Sequence, residues 1–287
     1  PVYPGVTVTI AGMTDHYAVV GNPVAHSVSP AIHAEFASQT GQDLDYVRLL
    51  APRDGFKSAV LTFRDGGGKG VNVTLPFKHE AWNLVTVHAG DALDAGAVNT
   101  IDFRNGRIIG YNTDGIGLVT DLEQNLKFPI RNQRVLLMGA GGASYGVMHP
   151  ILNARPELLV VANRTRDKAI ALVAHFQKFA KLALRGMSAQ PYQQLAGSQF
   201  DLVINATSAG LSGAMPALPP GVFAADALAY DMVYGKHTPF MKFAAAQGAR
   251  VADGLGMLVE QAARAFFVWR GVRPDTAPVI TMLKREA

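Results

Sequence analysis

The chain has 287 residues, with 26 lysines and arginines against 22 acids for a net charge of +4, and it is 49% hydrophobic and 17% charged. That length suits two domains of ordinary size and that composition suits filled cores. The absence of cysteine excludes disulfides, thiolate metal sites and a cysteine nucleophile. No apolar run approaches the ~20 residues of a membrane helix. The basic residues are spread, the tightest group being Arg164, Arg166 and Lys168, so neither the patch nor the motif of a nucleic-acid binder is present. Residues 1–12 lack the build of a signal peptide. Met13 reads as a natural start with 1–12 as a leader, and the expected compartment is the cytoplasm.

His16–Gly21 reads as a strand and Pro30–Gln39 as a helix, with Ser29 as its N-cap and proline in its first turn. Leu44–Leu50 follows as a strand, Arg53–Arg64 as a helix and Gly70–Thr74 as a strand closed by Pro76. Ala97–Phe103 and Arg107–Gly110 form a pair around Asn105-Gly106, a hairpin signal. Asp114 is placed to cap a helix running to Asn125, and Lys127–Asn132, with Pro129, reads as a linker. A second series begins with the strand Val135–Met138, a glycine turn and a helix. The strands Leu158–Ala162, Leu202–Asn205, Ala227–Met232 and Arg250–Ala252 come next, with helices at Asp167–Phe179 and Phe240–Gln247. Gly256–Trp269 and Thr276–Arg285 are the terminal helices. Such alternation predicts an α/β protein with parallel sheets covered by helices on both faces.

Gly139, Ala140, Gly141, Gly142, Ala143 and Ser144 follow a strand and open a helix. This is the context a dinucleotide fingerprint requires: glycines for a tight turn and close backbone approach, and a helix N-terminus facing the pyrophosphate. Ser144 departs from the usual glycine or alanine, but it is small. The next strand ends in Asn163-Arg164-Thr165-Arg166, where an NAD enzyme carries an acid for the ribose 2′-hydroxyl. Two guanidinium groups in its place suit a 2′-phosphate, so the expected cofactor is NADP.

The N-terminal half gathers polar residues at strand ends. Ser27 and Ser29 lie in the turn after the first strand. Asn72 and Thr74 stand two apart on the third, sharing a face. Asn99-Thr100 and Asn112-Thr113-Asp114 follow. Each alone is ordinary turn chemistry; together they suit a polyhydroxylated ligand. His26, His33 and His79 have no persuasive metal spacing and read as turn or surface residues, and no metal site is expected.

These segments in this order resemble the shikimate dehydrogenase family. The likeness runs from Tyr17 onward through GNPVAHSVSPAIH (21–33), NVTLPFKHE (72–80), GAVNT (96–100), YNTDGIG (111–117), GAGGA (139–143), ANRTR (162–166), NATSAG (205–210), DMVY (231–234) with Thr238-Pro239, and DGLGMLVEQA (253–262). The resemblance implies a catalytic Lys78 paired with Asp114. It implies Ser27, Ser29, Thr74 and Gln261 on the substrate carboxylate and hydroxyls, with Asn72, Asn99 and Tyr234 lining that pocket. It places Gly139–Ala143, Asn163–Arg166, Thr207, Met232 and Gly254 around NADP. Tyr145, where many relatives carry Arg or Ala, is a departure.

The resemblance further implies two α/β domains with a cleft between them. The substrate domain takes 1–114 and is completed by helices in 256–287; a Rossmann-like NADP domain takes 115–255. The implied reaction is reversible reduction of 3-dehydroshikimate to shikimate, on a small-molecule substrate with no nucleic acid or membrane partner, by a monomer or homodimer. Two alternatives stay open: an enzyme of relaxed substrate or cofactor use that accepts quinate or NAD, and a catalytically silent nucleotide-binding regulator on the same fold.

Overall fold

The computed structural model describes residues 14–179 and 185–286, so Met13 and the segment before it lie outside the described residues. The first half runs β1 (Asp15–Gly21), α1 (Ser29–Thr40), β2 (Leu44–Leu50), α2 (Phe56–Asp65), β3 (Gly68–Val73), α3 (Lys78–Leu84), β4 (Val87–His88), α4 (Ala92–Ala95), β5 (Thr100–Arg104) and β6 (Arg107–Tyr111). Then come α5 (Asp114–Thr120), a π-helical turn (Asp121–Asn125), β7 (Arg134–Met138), α6 (Gly142–Asn153), β8 (Leu158–Ala162), α7 (Arg166–Phe176) and β9 (Gly186–Gln190). The chain ends with β10 (Phe200–Asn205), β11 (Phe223–Asp231), α8 (Pro239–Ala246), β12 (Arg250–Ala252), α9 (Leu255–Arg270) and α10 (Ala277–Glu286).

Two six-stranded sheets result, ordered β2-β1-β3-β5-β6-β4 and β12-β11-β10-β7-β8-β9. All pairings in the second are parallel, and its order is that of a doubly wound dinucleotide-binding sheet. Its central strands, RVLLM in β7 and LLVVA in β8, are apolar runs buried on both faces, as parallel strands under two helical layers must be. Leu137, Val147, Ile151 and Leu172 pack in the core on one face, and Leu136, Phe200, Val203 and Phe240 on the other. The first sheet is mixed rather than purely parallel, because β5 runs antiparallel to both β3 and β6. The β5–β6 reversal is local: Asn105 (φ 53°) and Gly106 (φ 70°) make the two-residue turn that returns the chain beside itself.

α9 rejoins the first sheet. The Trp269 indole donates to the Ile101 carbonyl at 3.0 Å and stacks on Tyr17 with ring centroids 4.6 Å apart, while Ile32, Phe36, Val259 and Phe266 join α1 to α9. α5 packs against both α6 and α9.

Several local readings need correction. Ser29 is the first residue of α1 and not its cap; the Ser27 hydroxyl accepts from the Ser29 amide at 3.3 Å and serves that end instead. α2 begins at Phe56, after Gly55 closes a turn onto the Pro52 carbonyl. Asp114 opens α5 without capping it, because its carboxylate is drawn to Lys78. α3, α4, β4 and β9 escaped the sequence patterns because all are short, two to seven residues. The expected linker 127–132 is irregular, but Phe128 and Ile130 are buried and pin it to the core.

Candidate active site

Lys78 is placed by the residues before it. Phe77 is buried against Phe56, with ring centroids 5.0 Å apart, so α3 starts at a fixed point and Lys78 leaves its first turn. Asp114 is placed by Asn112, whose Oδ1 accepts from the Asp114 amide at 3.1 Å while its Nδ2 donates to the Ala97 carbonyl. The Lys78 ammonium and the Asp114 Oδ2 meet at 2.5 Å, with side chains 20% and 9% exposed. An ion pair so little open to water is screened far less than a surface one.

The second carboxylate oxygen is also held. Asn99 Nδ2 donates to Asp114 Oδ1 at 2.9 Å and to the Thr113 hydroxyl at 2.9 Å, and it faces Gln261 Oε1 at 3.4 Å. Asn99 Oδ1 accepts from the Thr113 amide and the Thr100 hydroxyl. Asn72 Nδ2 donates to Thr100 Oγ1 at 3.0 Å, and Asn72 Oδ1 accepts from the Tyr46 hydroxyl at 2.7 Å. Lys78, Asp114, Asn99, Asn72 and Gln261 are thus one connected network, drawn from α3, α5, β3, α9 and the strand-end loop before β5. Buried polar groups that are satisfied this fully hold a single arrangement.

At the rim, the Ser27 hydroxyl donates to Ser29 Oγ at 3.1 Å. Arg48 grips the Ser27 carbonyl through Nε at 2.9 Å and a terminal nitrogen at 2.6 Å. Burial pushes the Tyr46 hydroxyl well above its usual pKa, with Ser29 opposing, so Tyr46 acts as a neutral donor. Thr74 begins the turn that leads to α3, its amide bonded to the Val20 carbonyl and its methyl against Gly21. Tyr234 and Val28 both pack against the buried cluster that joins α1 to α9.

The glycine turn follows β7 at the point where strand order reverses between β7 and β10, the binding crevice of open parallel sheets. Gly139 has φ +105° and faces the Ala206 backbone and Thr207 methyl, where an added Cβ would stand 3.2 Å away; only glycine takes that conformation without strain. The first bond of α6 runs from the Tyr145 amide to the Gly141 carbonyl at 3.1 Å, leaving the amides of the first turn unengaged within the helix. Nothing stands within 4 Å of a Cβ built on Gly141. An anion is therefore matched by free amides, a helix dipole and open room. Thr207 is held by Asn205, whose Oδ1 accepts from the Thr207 hydroxyl at 2.7 Å, and Gly254 packs directly on the Met232 backbone. Asn163 donates to the Thr165 carbonyl at 2.8 Å, shaping the end of β8. Arg164 and Arg166 are exposed there and form no ion pair among the described residues.

The two halves meet through α5 and α6. A Cβ on Gly115 would collide with the Gly146 carbonyl and the Pro150 ring, each at 2.5 Å. One on Gly146 would lie 3.4 Å from Asp114 Oδ2. The helix that begins at the glycine turn thus passes directly beside the Lys78–Asp114 pair.

Sequence reading missed Tyr46 and Arg48, and it gave Thr113 no role of its own. Tyr46 sits mid-strand in β2 with no motif around it, and Thr113 was named only within a polar cluster whose register the fold sets. His33 is not a surface residue. It is fully buried, stacked on Tyr46 at 4.1 Å, and burial lowers its pKa to about 3. The nearby Asn72 amide opposes that shift, but neither ring nitrogen completes a hydrogen bond.

Comparison with known proteins adds the family models described as shikimate dehydrogenase substrate binding domain (residues 19–101), shikimate / quinate 5-dehydrogenase (122–212) and shikimate 5'-dehydrogenase C-terminal domain (254–281). The chain is 58% identical over 275 residues to the shikimate dehydrogenase (NADP(+)) of Aromatoleum aromaticum, covering 95% of this chain and 98% of that one. It is 56% identical over 271 residues to that of Methylobacillus flagellatus, covering 94% and 99%. Among solved structures, the shikimate 5-dehydrogenase of Thermus thermophilus, in complex with NADP(H) and shikimate, superposes with a TM-score of 0.84 at 34% identity, over 96% of this chain and 100% of that one.

Proposed function

The chain belongs to the shikimate dehydrogenase family, and from that premise we propose that it reversibly reduces 3-dehydroshikimate to shikimate with NADPH. The observation that carries this reading is the approach of α6 to the Lys78–Asp114 pair, one turn beyond the glycine turn. It brings a dinucleotide site and a proton donor to one cleft. Bound NADP would supply or accept the hydride at the ring carbon.

The chain's own residues then have separable tasks. Lys78 donates a hydrogen bond and a proton to the developing alkoxide, the charge that most needs stabilising in the transition state. Asp114 holds the ammonium in place, and Asn99 holds Asp114 through its second oxygen. Ser27, Ser29, Thr74, Tyr234 and Gln261, with Asn72 and Asn99 behind them, orient the substrate's carboxylate and hydroxyls. Gly139–Ala143 receive the pyrophosphate, Arg164 and Arg166 the 2′-phosphate, and Asn163, Thr165, Thr207, Met232 and Gly254 shape the rest of the nucleotide cleft. We assign the substrate unit to 1–114 with 256–287 and the nucleotide unit to 115–255; the return of α9 to the first sheet supports that division.

A steady-state assay of shikimate and quinate, each with NADP⁺ and NAD⁺, tests the reading. Turnover of shikimate with NADP⁺ well above the other three pairs is expected. Activity with quinate and NAD⁺ on a par would point to the relaxed enzyme, and no activity in any pair would point to a silent regulator.

A further inference from the structure

We propose that His79, which the family's catalytic assignments leave out, reaches across the cleft and donates a hydrogen bond to the pyrophosphate of the bound dinucleotide. This rests on the cofactor reading above and names a further residue for it. His79 follows Lys78 in the first turn of α3, on the first sheet's side of the cleft. Its Nε2 nevertheless stands 3.6 Å from where a Cβ on Gly142 would be. Gly142 is the first residue of α6, and no other atom comes within 4 Å of that point apart from chain neighbours and the helix's own backbone.

The imidazole therefore faces the helix end where free amides and the dipole favour an anion. The ring is exposed and has no hydrogen-bond or ion-pair partner among the described residues. A donor held at an anion site without a partner of its own loses nothing when the anion arrives. Because His79 and Lys78 share one turn of α3, the contact also ties the position of the proton donor to the presence of the nucleotide.

The test is direct binding by calorimetry of NADP⁺ and of adenosine 2′-monophosphate, which keeps the 2′-phosphate but lacks the pyrophosphate. His79→Ala is expected to weaken NADP⁺ binding by about tenfold, the loss of one hydrogen bond to a charged group, and to leave adenosine 2′-monophosphate unchanged. His79→Gln, which keeps an N–H donor, is expected to recover part of the loss. The His79 ring proton signal should shift on adding NADP⁺ and not on adding adenosine 2′-monophosphate. Equal NADP⁺ affinity in wild type and His79→Ala, or equal weakening of both ligands, overturns the proposal. Failure of the wild type to bind NADP⁺ at all would instead overturn the cofactor reading beneath it.

Discussion

Lys78 and Asp114, 36 positions apart in the chain, meet at 2.5 Å with Asn99 bonded to the carboxylate oxygen that Lys78 leaves free. The lysine is thus held from one side only and its remaining N–H bonds are available to a substrate. Lys78→Ala is expected to lower kcat by about 10²–10⁴-fold, the usual worth of a positioned proton donor, while the dissociation constant for shikimate stays near wild type. Single-turnover kinetics beside equilibrium binding separates the two; unchanged turnover would refute the role of Lys78.

Arg164 and Arg166 stand exposed at the end of β8 without an acidic partner among the described residues. In the proposed site, replacing both with alanine would remove charge-assisted bonds that only the 2′-phosphate can accept. KM for NADPH should rise by about tenfold or more, while KM for NADH changes little. Parallel rises for the two cofactors would show that these arginines do not read the phosphate.

Gly115 and Gly146 let α5 and α6 touch at backbone distance. In Gly115→Ala the new methyl must displace the Gly146 carbonyl and the Pro150 ring, an overpacking cost of about 1–3 kcal/mol. Thermal unfolding should register that loss. Because the same contact sets α6 beside Asp114, kcat should fall with the stability even though no proposed catalytic group is altered. A lower melting temperature with full kcat would show the contact to be structural alone.

His33 provides the pH dependence. Burial places its folded pKa at about 3, against 6.5 for a free histidine. Between those values the unfolded chain binds a proton that the folded chain refuses. Stability contributed by keeping the ring neutral is complete above pH 6.5 and is lost as pH falls toward 3. The loss across that window is on the order of 3–5 kcal/mol. His33→Phe keeps the stacking on Tyr46 and forfeits no hydrogen bond, since neither ring nitrogen has one. Its urea midpoint should therefore fall less than that of wild type between about pH 7 and pH 4. Identical acid sensitivity of the two proteins would remove His33 as the cause.

Most of the second sheet, from β7 to β12 without the short β9, and its glycine turn were legible in the amino-acid sequence. Apolar runs in β7, β8 and β10 suit central parallel strands, and Gly139, lacking a Cβ, tolerates φ +105°. These are local constraints, legible from neighbours a few positions away. The polar strand ends were legible too, as residues, but not their wiring. That Asn99 serves Asp114, that Tyr46 serves Asn72 and that His33 is buried are results of register between β2, β3 and β5 and of α9 returning from the far end of the chain. Ser29 and Asp114 make the same point: each had the right chemistry for a helix cap, but the fold supplied Ser29 with Ser27 and Asp114 with Lys78. Contacts between residues distant in sequence depend on how whole elements pack, which no local stretch of the chain specifies.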